Sequence, residues 1–245
     1  MRTERGFAVV VAGVIMLAVA AGPAQAGMIS IPNASFESPV IPNVSPYATS
    51  TINDWQKAPV PSWWLDAGYP AQQWYESIGA FLNVPFAPID NLDQAQAAFV
   101  FATPGVELFQ DLQASFEVGQ SYHLTVGIVG GGYGMKLGVP LEMRLYYRND
   151  AGDRITVGST TVTNANNTGV LQHLTDYQLD IPVVNAGEPW AGRSIGVQII
   201  STVAMQDAGG YWDLDNVRLM AVPEPASLAV MALGIAALMR RQRRG

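Results

Sequence analysis

The sequence predicts an all-β domain, a jelly-roll β-sandwich, and three observations carry that expectation. Between residues 27 and 221 the apolar side chains recur with a period of two. Turn-forming clusters break the chain between those alternating runs. No long window in this region carries a helical stripe. Many strands with one apolar face each must bury those faces against one another, which two packed sheets achieve.

The elements follow in order. Tyr122, Leu124, Val126 and Ile128 alternate with His123, Thr125 and Gly127. Leu141, Met143, Leu145 and Tyr147 alternate with Glu142, Arg144 and Tyr146. Ile155 and Val157 continue the pattern, as do Tyr177, Leu179 and Ile181, and then Ile195, Val197 and Ile199. Gly130-Gly131-Gly132, Asn149 to Asp153, Asn164 to Gly169 and Asp207 to Gly210 bound these runs as expected turns.

Charge separates the middle of the chain from its ends. Residues 1–26 and 222–245 hold six of the 13 Lys and Arg but two of the 20 acids, so the middle has seven basic and 18 acidic side chains and a net charge of −11. A phosphate backbone repels such a domain, which excludes nucleic acid as a partner. The absence of cysteine excludes a disulfide framework and thiolate metal sites.

Both ends read as targeting segments. Arg2 and Arg5 precede an apolar run from Phe7 to Ala20, and Ala24-Gln25-Ala26 offers the small residues that signal peptidase accepts, so residues 1–26 are expected to form a signal peptide. At the other end, Val222-Pro223-Glu224-Pro225 precedes the uncharged run Ala226 to Met239 and then Arg-Arg-Gln-Arg-Arg. A helix over that run spans roughly 21 Å, which local bilayer thinning can accommodate. The arginines are expected to stay cytoplasmic, with the domain outside.

This arrangement resembles the PEP-CTERM sorting signal of exported bacterial proteins, carried by Pro223, Glu224 and Pro225, the apolar run and the arginines. The resemblance implies processing by an exosortase, transient anchoring in the inner membrane by a C-terminal membrane helix, and a final place at the cell surface or in the extracellular matrix. The three segments are then 1–26, signal; 27–221, sandwich; and 222–245, sorting tail.

The middle resembles the galactose-binding-like jelly rolls found among carbohydrate-binding modules. Asn33-Ala34-Ser35-Phe36-Glu37, Ile52-Asn53-Asp54-Trp55, Gln110-Asp111-Leu112, Gly119-Gln120-Ser121-Tyr122-His123-Leu124 and Asp213-Leu214-Asp215-Asn216-Val217-Arg218-Leu219 carry the likeness. In that family the first and last strands are neighbours, and acids at these positions hold a structural calcium. The resemblance therefore implies one Ca²⁺ at Glu37 and Asp215, with Asn33 and Asp213 as further contributors. Calcium takes about six to eight hard oxygens, which carboxylates and loop carbonyls supply. The alternative is that Glu37 caps a turn and Asp215 bonds backbone.

Four of the six tryptophans fall between residues 55 and 74, which makes this segment the expected ligand platform. Sugar rings stack on exposed aromatic faces, and Trp63, Trp64 and Trp74 are the candidates, with Trp55 expected in the core. On a strand the Trp63-Trp64 pair would point to opposite faces, leaving one exposed. Tyr133, beside the glycine run, is a further ligand-binding candidate, expected to be presented at a mobile loop tip.

Catalytic signals are sparse. Gly192-Arg193-Ser194-Ile195-Gly196 fits the pattern of a serine-hydrolase elbow, but a strand sequence follows where that motif needs a helix, and both histidines precede the serine. The expectation is a non-catalytic, carbohydrate-binding module that holds exopolysaccharide. The alternatives are a structural matrix protein without a sugar ligand, or a jelly-roll glycoside hydrolase or polysaccharide lyase, which needs an acid pair in a groove or a tyrosine with a basic partner.

Overall fold

The computed structural model describes residues 26–85, 88–166 and 173–224. The expected signal helix and the apolar run Ala226 to Met239 with its arginines lie outside the described residues. Among the described residues no helix is long and apolar enough to cross a membrane.

The chain forms β1 (Gly27–Ile29), β2 (Ala48–Thr49) and β3 (Gln56–Lys57), then the short helices α1 (Ser62–Asp66) and α2 (Ala71–Tyr75). There follow β4 (Ile78–Leu82), β5 (Gln96–Phe101), β6 (Glu107–Ser115), β7 (Gln120–Gly132), β8 (Pro140–Arg148) and β9 (Arg154–Thr163). Strands β10 (Thr175–Ile181), β11 (Ser194–Ser201) and β12 (Tyr211–Pro223) complete the fold. One sheet has seven strands in the order β10-β7-β12-β5-β4-β2, with β1 also beside β12; the other has five, β3-β6-β11-β8-β9. The pairings are antiparallel. This is the expected jelly-roll sandwich.

The period-two runs of β7, β8 and β11 bury one face each, whereas on the edge strand β9 Ile155 is exposed and Val157 only half-buried. Tyr122, Leu124, Val126 and Ile128 of β7 meet Leu141, Met143 and Leu145 of β8 and Ile195, Val197 and Ile199 of β11 in the shared core. Trp212, Leu214 and Leu219 of β12 join them. Strand β1 pairs with β12, Met28 opposite Met220, so the first and last strands are neighbours as the resemblance implied.

Gly130-Gly131-Gly132 is not the expected turn but the end of β7. A Cβ on Gly130 would stand 2.6 Å from the Trp212 ring, and one on Gly132 would stand 2.5 Å from the Tyr211 ring. Glycine is needed there because aromatic rings from β12 cross the strand. The turn follows at Tyr133 (φ 55°) and Gly134 (φ 71°). Ser194 opens strand β11, so the Gly192 to Gly196 pattern forms no strand-to-helix elbow.

Candidate active site

The tryptophan segment packs as a satellite of the core. Trp63 and Trp64 lie on α1 rather than on a strand, one helical step apart, so both turn toward the protein. Trp64 is buried and its Nε1 donates to the Pro70 carbonyl at 3.0 Å. Trp74, on α2, is buried and donates to the Ala58 carbonyl at 3.0 Å. Trp63 is half-buried against the core. The three rings meet edge to face, with centroids 5.5 to 6.0 Å apart. Lys57 donates to the carbonyls of Ser50, Tyr75 and Ile78, tying α2 to the sheet edges. The expectation that one of the Trp63-Trp64 pair stands exposed is therefore corrected: Trp64 and Trp74 spend their faces on each other, and their N–H groups are satisfied inside. Trp55 is buried as expected.

The Glu37 and Asp215 region is a hydrogen-bonded junction. β12 kinks at Asn216, which takes the left-handed conformation (φ 55°) that asparagine tolerates. Glu37 Oε1 accepts the N–H groups of Ala95 and Gln96 at 2.8 and 2.7 Å. Asp215 accepts the Asp93 N–H at 2.6 Å and the Asn216 N–H at 2.7 Å. Burial raises the Asp215 carboxyl to about 7, opposed by those two N–H donors and assisted by the nearby charges of Asp93 and Glu37. Asn33 is spent on its own loop: its amide donates to the Ser38 and Asn53 carbonyls and accepts the Ser38 N–H. Among the described residues no three acidic or histidine side chains gather closely enough to hold one metal ion.

Asp213 belongs to a different arrangement, on the outer face of the seven-stranded sheet. Register with β5 sets Tyr211 opposite Phe101, Trp212 opposite Val100, and Asp213 opposite Phe99. Trp212 and Val100 point into the core, so Tyr211, Asp213, Phe99 and Phe101 share the other face. The rings form a shelf: Phe99 to Phe101 at 5.8 Å, Phe101 to Tyr211 at 5.8 Å, and Tyr211 to Tyr133 at 6.4 Å between centroids. Gly79 on β4 and Gly132 on β7 make room for it, because a Cβ on either would strike the Phe99 or the Tyr211 ring at 2.5 Å. Tyr133 is 90% exposed at the end of the shelf.

Asp213 is 4% exposed among these rings, and its Oδ1 is buried with no hydrogen-bond partner. Burial alone pushes its carboxyl well above the usual value. A carboxyl kept neutral by an apolar site can donate a proton near neutral pH. The Tyr211 phenol is raised too, first by burial and then by the charges of Asp213 and Tyr133. Asp213 entered the sequence reading as a weak calcium ligand. Its partners Tyr211, Phe99 and Phe101 carried no signal there, because only strand register brings them together.

Fold and face together define a jelly-roll sandwich with a desolvated acid set among surface aromatics. The chain belongs to the HpiC1-like cyclase family, whose model, described as HpiC1 cyclase, matches residues 27–220. The PEP-CTERM protein-sorting motif matches residues 221–244 and marks the chain for export, surface sorting and exosortase processing. Among solved structures, a cyclase from Fischerella sp. TAU aligns with a TM-score of 0.61 at 19% identity, covering 82% of this chain and 99% of that one. A Stig cyclase, Fisc, from the same organism, in complex with (3Z)-3-(1-methyl-2-pyrrolidinylidene)-3H-indole, aligns at 0.59 and 21% identity, covering 82% and 100%. A Fischerella sp. TAU cyclase in complex with 4-(1H-indol-3-yl)butan-2-one aligns at 0.56 and 20%, covering 81% and 98%. At these identities the structures establish the shared fold. A search of curated proteins finds no match.

Family membership overturns two expectations, that the sandwich is a non-catalytic carbohydrate-binding module and that the protein is not an enzyme. A jelly roll serves binding modules and cyclases alike, and short strand motifs report the fold rather than its use.

Proposed function

We propose that this exported sandwich is a cyclase-type enzyme that works by general-acid catalysis, with Asp213 as the proton donor. The buried Asp213 carboxyl, unpaired at Oδ1 and raised by burial, carries the proposal. In this scheme Asp213 gives its proton to a C=C or C=N bond of a flat, unsaturated substrate. A second π bond of the same molecule attacks the cation and closes a ring. A proton then leaves to the Asp213 carboxylate, so the net change is an isomerisation that consumes no co-reactant. The faces of Phe101 and Tyr211 would hold the substrate and stabilise the developing positive charge. The indole-type ligands bound in the two Fischerella complexes are flat and aromatic, which suits such a shelf.

The test uses indole itself. Protonation and deprotonation at its C3 exchange that hydrogen for deuterium in D₂O, and loss of the C3–H proton signal follows the rate. The expected result is exchange faster than in buffer, reduced to the buffer rate by Asp213→Asn with far-UV circular dichroism unchanged. Exchange at the buffer rate in the wild-type protein would remove Asp213 from this role.

Two further proposals accompany it. Residues 1–26 act as a cleaved signal peptide, and Ala226 to Met239 holds the chain transiently in the inner membrane, arginines inside, until an exosortase cuts near Pro223-Glu224-Pro225. One calcium ion binds at the Asp215 junction. Asp215 and Glu37 offer hard oxygens there, and loop carbonyls must complete the shell, because Asn33 is already spent and Asp213 belongs to the aromatic shelf.

A further inference from the structure

We infer a soft-metal site on the outer face of the seven-stranded sheet, formed by Met28, Met220 and His123 and suited to a monovalent d¹⁰ cation, Cu(I) or Ag(I). It uses no residue of the Asp213 shelf and is independent of the cyclase proposal.

Strand register places the three ligands in one row. Met28 on β1 is opposite Met220 on β12, and Met220 is opposite His123 on β7. On β10, Asp180 stands opposite His123 and ends the row. The preceding row, Ile29, Leu219, Leu124 and Leu179, packs into or against the core, so the Met28 row faces outward. Directly opposed residues on one face hold their Cβ atoms about 4.5–5.5 Å apart, within reach of long, flexible thioether arms.

Three features point to a ligand rather than to packing. Met28 and Met220 are 64% and 36% exposed, two unburied thioethers side by side. His123 Nδ1 lies 2.6 Å from Asp180 Oδ1. Facing a carboxylate, Nδ1 carries the proton, which leaves the Nε2 lone pair free; this pairing is the one that orients metal-ligating imidazoles. Gln178 also donates to Asp180, which holds the carboxyl group in place beside the imidazole.

The donor chemistry selects the ion. Two thioethers and one imidazole are soft to intermediate ligands that favour Cu(I) over magnesium or calcium. The chain has no cysteine, and in an oxidising compartment thioether sulfur supplies soft ligation without a thiol to lose to disulfides.

The test titrates Ag(I) into the full chain in detergent, labelled with ¹³C at the methionine methyl groups. The expected result is that two methionine signals, assigned by Met28→Leu and Met220→Leu, shift together and saturate at one Ag(I) per chain. His123→Gln abolishes the coupled shift, and Asp180→Asn lowers affinity about tenfold by releasing the imidazole. Leucine conserves volume at these exposed positions, and unchanged circular dichroism confirms the fold. Shifts confined to Met205 or other methionines, or a coupled shift that survives His123→Gln, would overturn the site.

Discussion

Tyr211 lies flat across Gly132, its ring 2.5 Å from where a Cβ on that residue would stand. The contact fixes the edge of the aromatic shelf and explains why a glycine run can end a strand. Gly132→Ala should drive the ring off the sheet. Overpacking of this kind costs about 1–3 kcal/mol, read as a lower midpoint in urea unfolding at unchanged slope. Indole exchange should slow in the same variant, because the shelf beside Asp213 is displaced.

Stability should fall as pH rises. Burial raises the carboxyls of Asp213 and Asp215, the latter to about 7, so the folded state holds protons that the unfolded chain releases near pH 4. Their contribution is fully present below about pH 4 and is lost as pH rises through the folded values. Urea unfolding without added calcium at pH 5 and pH 8 is the measurement. The wild type should be more stable at pH 5, and the Asp213→Asn, Asp215→Asn double variant should lose most of that difference.

Calcium should act on the same junction with the opposite pH dependence. A cation favours the ionised Asp215, so millimolar calcium should raise the melting temperature at pH 8 more than at pH 5. Asp215→Asn should remove the effect. A melting temperature indifferent to calcium and to EDTA at both pH values would leave Glu37 and Asp215 as backbone acceptors alone.

The tryptophan cluster should govern stability rather than ligand binding. Trp74→Ala removes a buried ring that packs on Trp63 and Trp64 and should cost about 3–5 kcal/mol. Trp74→Phe keeps most of the packing but leaves the Ala58 carbonyl without its donor, and should cost less. Indole binding, followed by ligand-observed NMR, should be the same in Trp74→Phe and the wild type.

Much of the fold was legible in the sequence. Period-two alternation located β7, β8, β10 and β11, since a strand half-buried in a sandwich imposes that pattern directly. The short α1 and α2 were not, because five residues each are too few to show a helical period. The Asp213 shelf was the harder part. Tyr211, Phe99 and Phe101 alternate with core residues, and their outward direction reads as ordinary surface until register sets Phe99 beside Asp213.

By itself the sequence determined the all-β class, the sorting tail and the absence of thiol chemistry. These depend on local pattern, composition and contiguous motifs. Only the tertiary structure decided which aromatics are buried, that Asp213 is desolvated without a partner, and that Met28, Met220 and His123 share a row. Burial and cross-strand adjacency are set by which strands pair and in what register, and residues far apart in the chain acquire their chemistry from that pairing.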